Sequence, residues 1–190
     1  FQNKIQWVKV GMELFYHRGH PILEMLTRLN FKIFLDLKLY DIPNTIQRAV
    51  AALAHYQFDM ITLHLQGGSA MIAAAQETLS KLNHPGHILG VTVLTSFDEE
   101  QWKNVSNKSI SDSVDNFLRI AKERNIYGVV CSALEIDAVK KLSNLKTIVP
   151  GLRWQGSSQD QKRVQTPAWA VNQGVDYLVI GRELTQADDP

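Results

Sequence analysis

A chain of 190 residues with a formal net charge of +1, 45% hydrophobic and 21% charged, has the balance of a soluble globular protein with enough apolar material for one sizeable core. No block of like charges points to nucleic acid or an acidic membrane surface as a partner, and no apolar run approaches the roughly 18 residues that a membrane span needs. The lone cysteine, Cys131, excludes an internal disulfide and every multi-cysteine metal site, fits a reducing, cytoplasmic compartment, and within GVVCS reads as a buried strand residue. Residues 1–190 are expected to form one domain, and because the chain opens at Phe1 with neither an initiator methionine nor a signal-peptide pattern, it is expected to be less than the whole gene product.

Short β-branched runs alternate with longer helical patterns along the chain, the mark of repeated βα units around a parallel sheet. Strands are predicted near 7–10, 32–38, 60–65, 88–94, 128–132, 147–149 and 177–180, and helices at roughly 21–30, 44–56, 69–82, 111–125, 134–142 and 167–173. Pro43 and Pro167 fall where a first helical turn tolerates proline, and Gly174 where a helix wants a C-terminal cap. Regular βα units without a long crossover fit an eight-stranded closed sheet better than an open doubly wound one. The expected fold class is therefore α/β, a TIM (β/α)8 barrel, with the first strand before Phe1 and the last helix after Pro190.

The densest chemistry lies in FLDLKLYDIPNT, residues 34–45. In an extended strand successive side chains alternate faces, so Phe34, Asp36 and Lys38 share one side while Ile33, Leu35 and Leu37 share the other. The apolar row suits a strand covered by helices, which turns the acid and the base into the space that the sheet encloses. Charges buried there cost of order several kcal/mol per ion unless they are paired. Two readings stand at this point: a buried salt bridge with Asp41 capping the following helix, or a charged catalytic centre.

In TIM barrels the chemistry sits at the C-terminal ends of the strands, and phosphate is commonly held by the loops after strands seven and eight. Counting the absent strand as the first, those loops are PGLRWQGSSQDQKR, 150–163, and IGRELTQ, 180–186. Each sets glycine beside arginine: glycine lets backbone N–H groups approach an anion, and arginine offers a planar fork that matches phosphate oxygens. A phosphorylated ligand is the expectation. Lys9, between two valines in WVKVG, should point inward and needs an anionic partner or a polar ligand. Thr95 and Ser96 close GVTVLTS and either donate hydrogen bonds to a ligand or begin a loop. His64, in MITLHL, either faces the site or is a hydrogen-bonded core histidine. The other histidines show no metal-ligand spacing, and no metal site is expected.

With these residues in view, the sequence resembles the orotidine 5′-monophosphate decarboxylase family in its bacterial form. The resemblance runs through VKVGMELF, FLDLKLYDIPNT, VTVLTS, GVVCSALE, PGLR, the segment Gln159 to Gln161, and VDYLVIGR with its trailing TQADDP. The pattern DxKxxD alone is shared by a wider superfamily of phosphate-sugar barrels; the flanking DIPNT and IGR narrow it to the decarboxylase. The resemblance implies decarboxylation of orotidine 5′-monophosphate to uridine 5′-monophosphate in pyrimidine biosynthesis, with Lys38 as proton donor to C6 of the pyrimidine and Asp36 and Asp41 holding it in place. It implies a homodimer in which Asp41 and Thr45 reach the neighbouring subunit's site. Lys9 would contact the substrate ribose and the charge network, and Thr95 the pyrimidine. Arg153, Gln161, Gly181 and Arg182 would gather the phosphate.

That chemistry makes sense of the residue types. Loss of CO2 from C6 leaves a localised carbanion without a conjugated sink, and a lysine beside carboxylates, with an ordinary pKa of about 10.4, can both stabilise the charge and supply a proton. No cofactor is implied. Three departures accompany the resemblance: an aspartate expected at the end of the first strand precedes Phe1, the interval from Arg153 to Gln161 is one residue shorter than the pattern, and the C-terminal helix is absent. A magnesium-dependent sugar-phosphate enzyme of the same superfamily would carry a glutamate as metal ligand where this chain has Lys9. A non-catalytic phosphate-binding barrel would have no use for the charged triad.

Overall fold

A computed structural model of the chain describes residues 4–142, 144–154 and 165–187. The chain divides into two compact units, Phe1–Gly90 and Val91–Pro190. The first holds β1 (Trp7–Gly11), α1 (Met12–Arg18), α2 (Pro21–Arg28), β2 (Lys32–Leu39), α3 (Pro43–Leu53), β3 (Met60–His64), a 3-10 turn at Leu65–Gly67, α4 (Gly68–Lys81) and β4 (His87–Val91), whose last residue opens the second unit. Strands β1, β2 and β3 pair in parallel and in chain order. The run Ile33–Leu37 of β2 is buried without a break, as befits a parallel strand covered on both faces. Helix α3 buries Ile46 and Val50, one turn apart, and packs against α4. The Asp59 carboxylate accepts from Ile33 N at 2.7 Å and pins the start of β3 to β2.

The second unit holds α5 (Glu99–Ser106), α6 (Ile110–Glu123), β5 (Gly128–Val130), a 3-10 turn at Ala133–Glu135, α7 (Ile136–Leu142), β6 (Lys146–Val149), α8 (Pro167–Asn172), β7 (Tyr177–Leu178) and α9 (Arg182–Thr185). Strands β5, β6 and β7 are again parallel and in chain order. Helix α6 lays Val114, Phe117, Leu118 and Ala121 into the core at helical spacing. The buried Glu135 carboxylate is satisfied by Thr92 Oγ1 at 2.7 Å and Ser132 N at 3.2 Å. At the start of β6, Asp176 accepts from Thr147 N (2.9 Å), Thr147 Oγ1 (3.0 Å) and Lys146 Nζ (2.7 Å).

Helices α1, α5 and α9 depart from the sequence reading. Helix α1 buries none of its residues, so it writes no apolar stripe into the sequence. Helix α5 buries only Trp102, although its reciprocal cap, Asp98 with Gln101, is a start signal visible in the sequence. Strand β4 ends at Val91 rather than at 94, because the chain closes a turn at Leu94, where Phe97 N donates to Leu94 O at 3.1 Å; Thr95 and Ser96 therefore sit in a turn. The helix ends follow the sequence more closely. Asn30, Asn83, Asn107 and Asn125 take left-handed backbone just past α2, α4, α5 and α6, and Gly174 does so after α8 with φ of 65°.

Candidate active site

The site in the first unit is built on an irregularity of β2. Between Leu35 and Leu39 the strand advances four residues while its partner β3 advances two, from Ile61 to Leu63, so β2 bulges across Asp36–Lys38. Lys38 has φ of 48°; the other described non-glycine residues with positive φ are Asn30, Asn83, Asn107 and Asn125, all at helix ends. A left-handed lysine at the end of a strand is unusual and must be held there. Thr62 of β3 does so, because its hydroxyl accepts from Lys38 N at 2.8 Å. That hydroxyl donates in turn to Asp36 Oδ1 at 3.0 Å, and Lys38 Nζ donates to Asp36 Oδ1 at 2.9 Å and Oδ2 at 2.8 Å. Backbone, hydroxyl, carboxylate and ammonium close a ring.

Lys9 joins from β1, with Nζ 3.3 Å from Asp36 Oδ2. Gly11, two residues on, leaves the room for this approach: a Cβ there would stand 2.9 Å from Lys9 Nζ. The Asp36 side chain is 9% exposed, against 26% for Lys38 and 36% for Lys9, so the anion is buried and the two cations stand toward solvent. Burial pushes the Asp36 carboxyl up, but Lys38, Lys9 and the Thr62 hydroxyl together hold it below its ordinary value near 3.8. His64, at the end of β3, is pushed below its ordinary 6.5 by burial and then by Lys38, with Asp36 opposing, so it is neutral beside the pair at neutral pH. Its ring lies 5.9 Å from that of Tyr40.

Asp36, Lys38 and Lys9 thus meet. Asp41 does not join them: it is exposed, its Oδ1 accepts from Ile42 N at 2.7 Å, and no bond joins it to Lys38 among the described residues. Nor does Asp41 cap the next helix, since the N-cap of α3 is Ile42, without a side-chain cap. Thr45 is exposed on the first turn of α3. Thr62 was not among the residues that the sequence singled out. It lies 26 positions from Asp36, and only the β2–β3 register brings the two together.

In the second unit Arg153 follows β6, with its side chain 11% exposed. Its backbone N donates to Gln165 O at 3.0 Å, and its Nη1 to Leu152 O at 3.1 Å. Its Nε lies 3.7 Å from Oε1 of Glu183, whose Oε2 accepts from Trp154 N at 3.4 Å. Gly181 and Arg182 are exposed where β7 gives way to α9, and a Cβ built on Gly181 would meet no atom within 4 Å. Glu183 was also passed over in the sequence, where IGREL reads as a glycine-arginine turn. Gln161 lies outside the described residues.

The model of the family described as "Orotidine 5'-phosphate decarboxylase / HUMPS family" matches residues 1–190. The chain is 42% identical over 195 residues to the orotidine 5'-phosphate decarboxylase of Lawsonia intracellularis, covering 100% of this chain and 85% of that one. It is 44% identical over 187 residues to that of Dichelobacter nodosus, covering 96% and 82%. A crystal structure of orotidine 5'-phosphate decarboxylase from Lactobacillus acidophilus superposes with a TM-score of 0.83 at 35% identity, covering 96% of this chain and 81% of that one. The βα repeats described above are those of the TIM (β/α)8 barrel that these relatives share.

Proposed function

The chain belongs to the orotidine 5'-phosphate decarboxylase / HUMPS family, and we propose that it converts orotidine 5′-monophosphate to uridine 5′-monophosphate in pyrimidine biosynthesis, in the cytoplasm and without a cofactor. The observation that carries the reading is the Lys38 ammonium, held on both oxygens of a buried carboxylate and still partly exposed. When the bond from C6 to the carboxylate breaks, CO2 leaves and the electron pair stays on C6. A fixed ammonium beside that carbon stabilises the pair and then gives it a proton, leaving a neutral amine that solvent reprotonates. Asp36 keeps the ammonium in place, so little reorganisation accompanies the step.

Two lysines on one aspartate leave the cluster net positive, which suits an anionic substrate and offsets the charge that develops. Lys9 also speaks against a magnesium-dependent chemistry, because its ammonium sits on the carboxylate that a cation would need. Lys9 is assigned to the ribose, Thr95 to the pyrimidine, and Arg153, Gln161, Gly181 and Arg182 to the phosphate. The exposure of Asp41 and Thr45 supports their lending side chains to a second copy in a homodimer. Tyr40 and Ile42, exposed by 56% and 65% beside Asp41, offer that contact apolar area.

The test is turnover of orotidine 5′-monophosphate, followed by ultraviolet absorbance in the presence of EDTA, beside Lys38→Ala. Turnover that survives EDTA and falls about 10³-fold or more in the variant is expected, the size of losing a positioned acid and its charge. A folded protein that binds uridine 5′-monophosphate but turns nothing over would overturn the reading.

A further inference from the structure

We infer that Glu183 sets the affinity of the phosphate end: an internal carboxylate that occupies the anion donors of Arg153 and Trp154 until a phosphate dianion displaces it. This rests on the assignment of Arg153 to the substrate phosphate. One oxygen of Glu183 faces Arg153 Nε and the other accepts from the backbone N–H of Trp154, so the carboxylate spans two donors of the kind that phosphate oxygens take. Both contacts are loose, at 3.7 and 3.4 Å, longer than a charge-assisted hydrogen bond of about 2.7–2.9 Å. A carboxylate held so weakly, on a side chain 23% exposed, can swing out toward water when a stronger anion arrives.

Arg153, 11% exposed, would be a poorly solvated cation if it stood without an anion, and Glu183 supplies one to the ligand-free protein. Any anion that takes these donors must then outcompete a monovalent carboxylate. A phosphate monoester dianion does so by charge and by three oxygens; a neutral nucleoside gains nothing from the exchange. The residue therefore lowers affinity for anions that take these donors and leaves a neutral nucleoside, which does not displace it, unaffected.

The experiment measures binding of uridine 5′-monophosphate and of uridine by calorimetry to the unaltered chain, Glu183→Gln, Arg153→Ala and the double variant. Glutamine keeps the shape and an acceptor for Trp154 N–H but removes the charge. Glu183→Gln should bind uridine 5′-monophosphate about three- to fivefold more tightly, the size of one partly screened ion pair. Uridine binding should stay unchanged, which also reports that the variant is folded, and the gain should vanish when Arg153 is alanine, as a purely structural role for Glu183 would not require. Unchanged or weaker binding in Glu183→Gln, with Arg153→Ala still impaired, overturns the inference and leaves the phosphate assignment standing. Unimpaired binding of uridine 5′-monophosphate to Arg153→Ala overturns that assignment and the inference with it.

Discussion

Replacing Thr62 with valine would keep its volume and remove only the hydroxyl that joins Lys38 N to Asp36. The residue is fully buried, so water cannot readily take the place of that group. Leaving the Lys38 N–H without its acceptor costs about 1–3 kcal/mol, and removing a donor from the charged Asp36 about 1.5–3 kcal/mol. The two overlap where the bulge relaxes, and about 3 kcal/mol is a fair sum for the pair. Thr62→Ser keeps the hydroxyl and loses one buried methyl, about 1 kcal/mol. With a urea m-value of about 2 kcal/mol per molar, the valine variant should unfold roughly 1 M urea earlier than the serine variant. Its kcat should fall by about tenfold or more, because a lysine whose backbone is no longer held presents its ammonium less accurately. Urea unfolding and initial rates on both variants decide the matter. If valine and serine unfold together and turn over alike, the hydroxyl does not hold Lys38, and the ring described above is a coincidence of packing.

Gly181→Ala should leave stability unchanged, since the added methyl meets nothing, yet weaken uridine 5′-monophosphate binding by about tenfold through the space that the phosphate needs; equal affinity would remove Gly181 from the ligand site. As pH falls below about 6.5 the unfolded chain takes up a proton at His64 that the folded chain resists, so stability should decline from there, and His64→Gln should flatten that part of a melting-temperature profile. A second loss should follow as pH falls below about 3.8, because Asp36 and Asp176, both held below that value when folded, must be protonated. At the start of β6, Asp176→Ala should cost about 1–2 kcal/mol after screening, by stripping the Thr147 N–H and hydroxyl of their acceptor, while the exposed Lys146→Ala shifts the unfolding midpoint far less.

The sequence showed the site where its signals are local. Asp36 and Lys38 are two positions apart, and strand alternation alone puts them on one face; Lys9 between valines announced a need for an anion, and Asp36 is that anion. What alternation hides is the bulge, since a left-handed Lys38 breaks the extended geometry on which the pattern relies, and nothing in KLYD marks it. Contacts that depend on register are equally silent: Thr62 and Glu183 meet their partners across 26 and 30 chain positions. Elements without a buried stripe, α1 above all, leave no periodic trace because none of their residues is buried in the chain's own core.

The left-handed backbone at Lys38 also bears on how this site would drift. L-residues other than asparagine and aspartate take that conformation at a cost of roughly 1–2 kcal/mol, and the four other described non-glycine residues that take it are asparagines. At position 38 the amine proposed to give C6 its proton and the backbone's own preference therefore favour different amino acids. While turnover is under selection, lysine is kept against that preference. A duplicated copy released from catalysis would be free to accept asparagine or glycine there, with Lys9 and Thr62 still on the Asp36 carboxylate, and the barrel would outlive its chemistry at the cost of one codon.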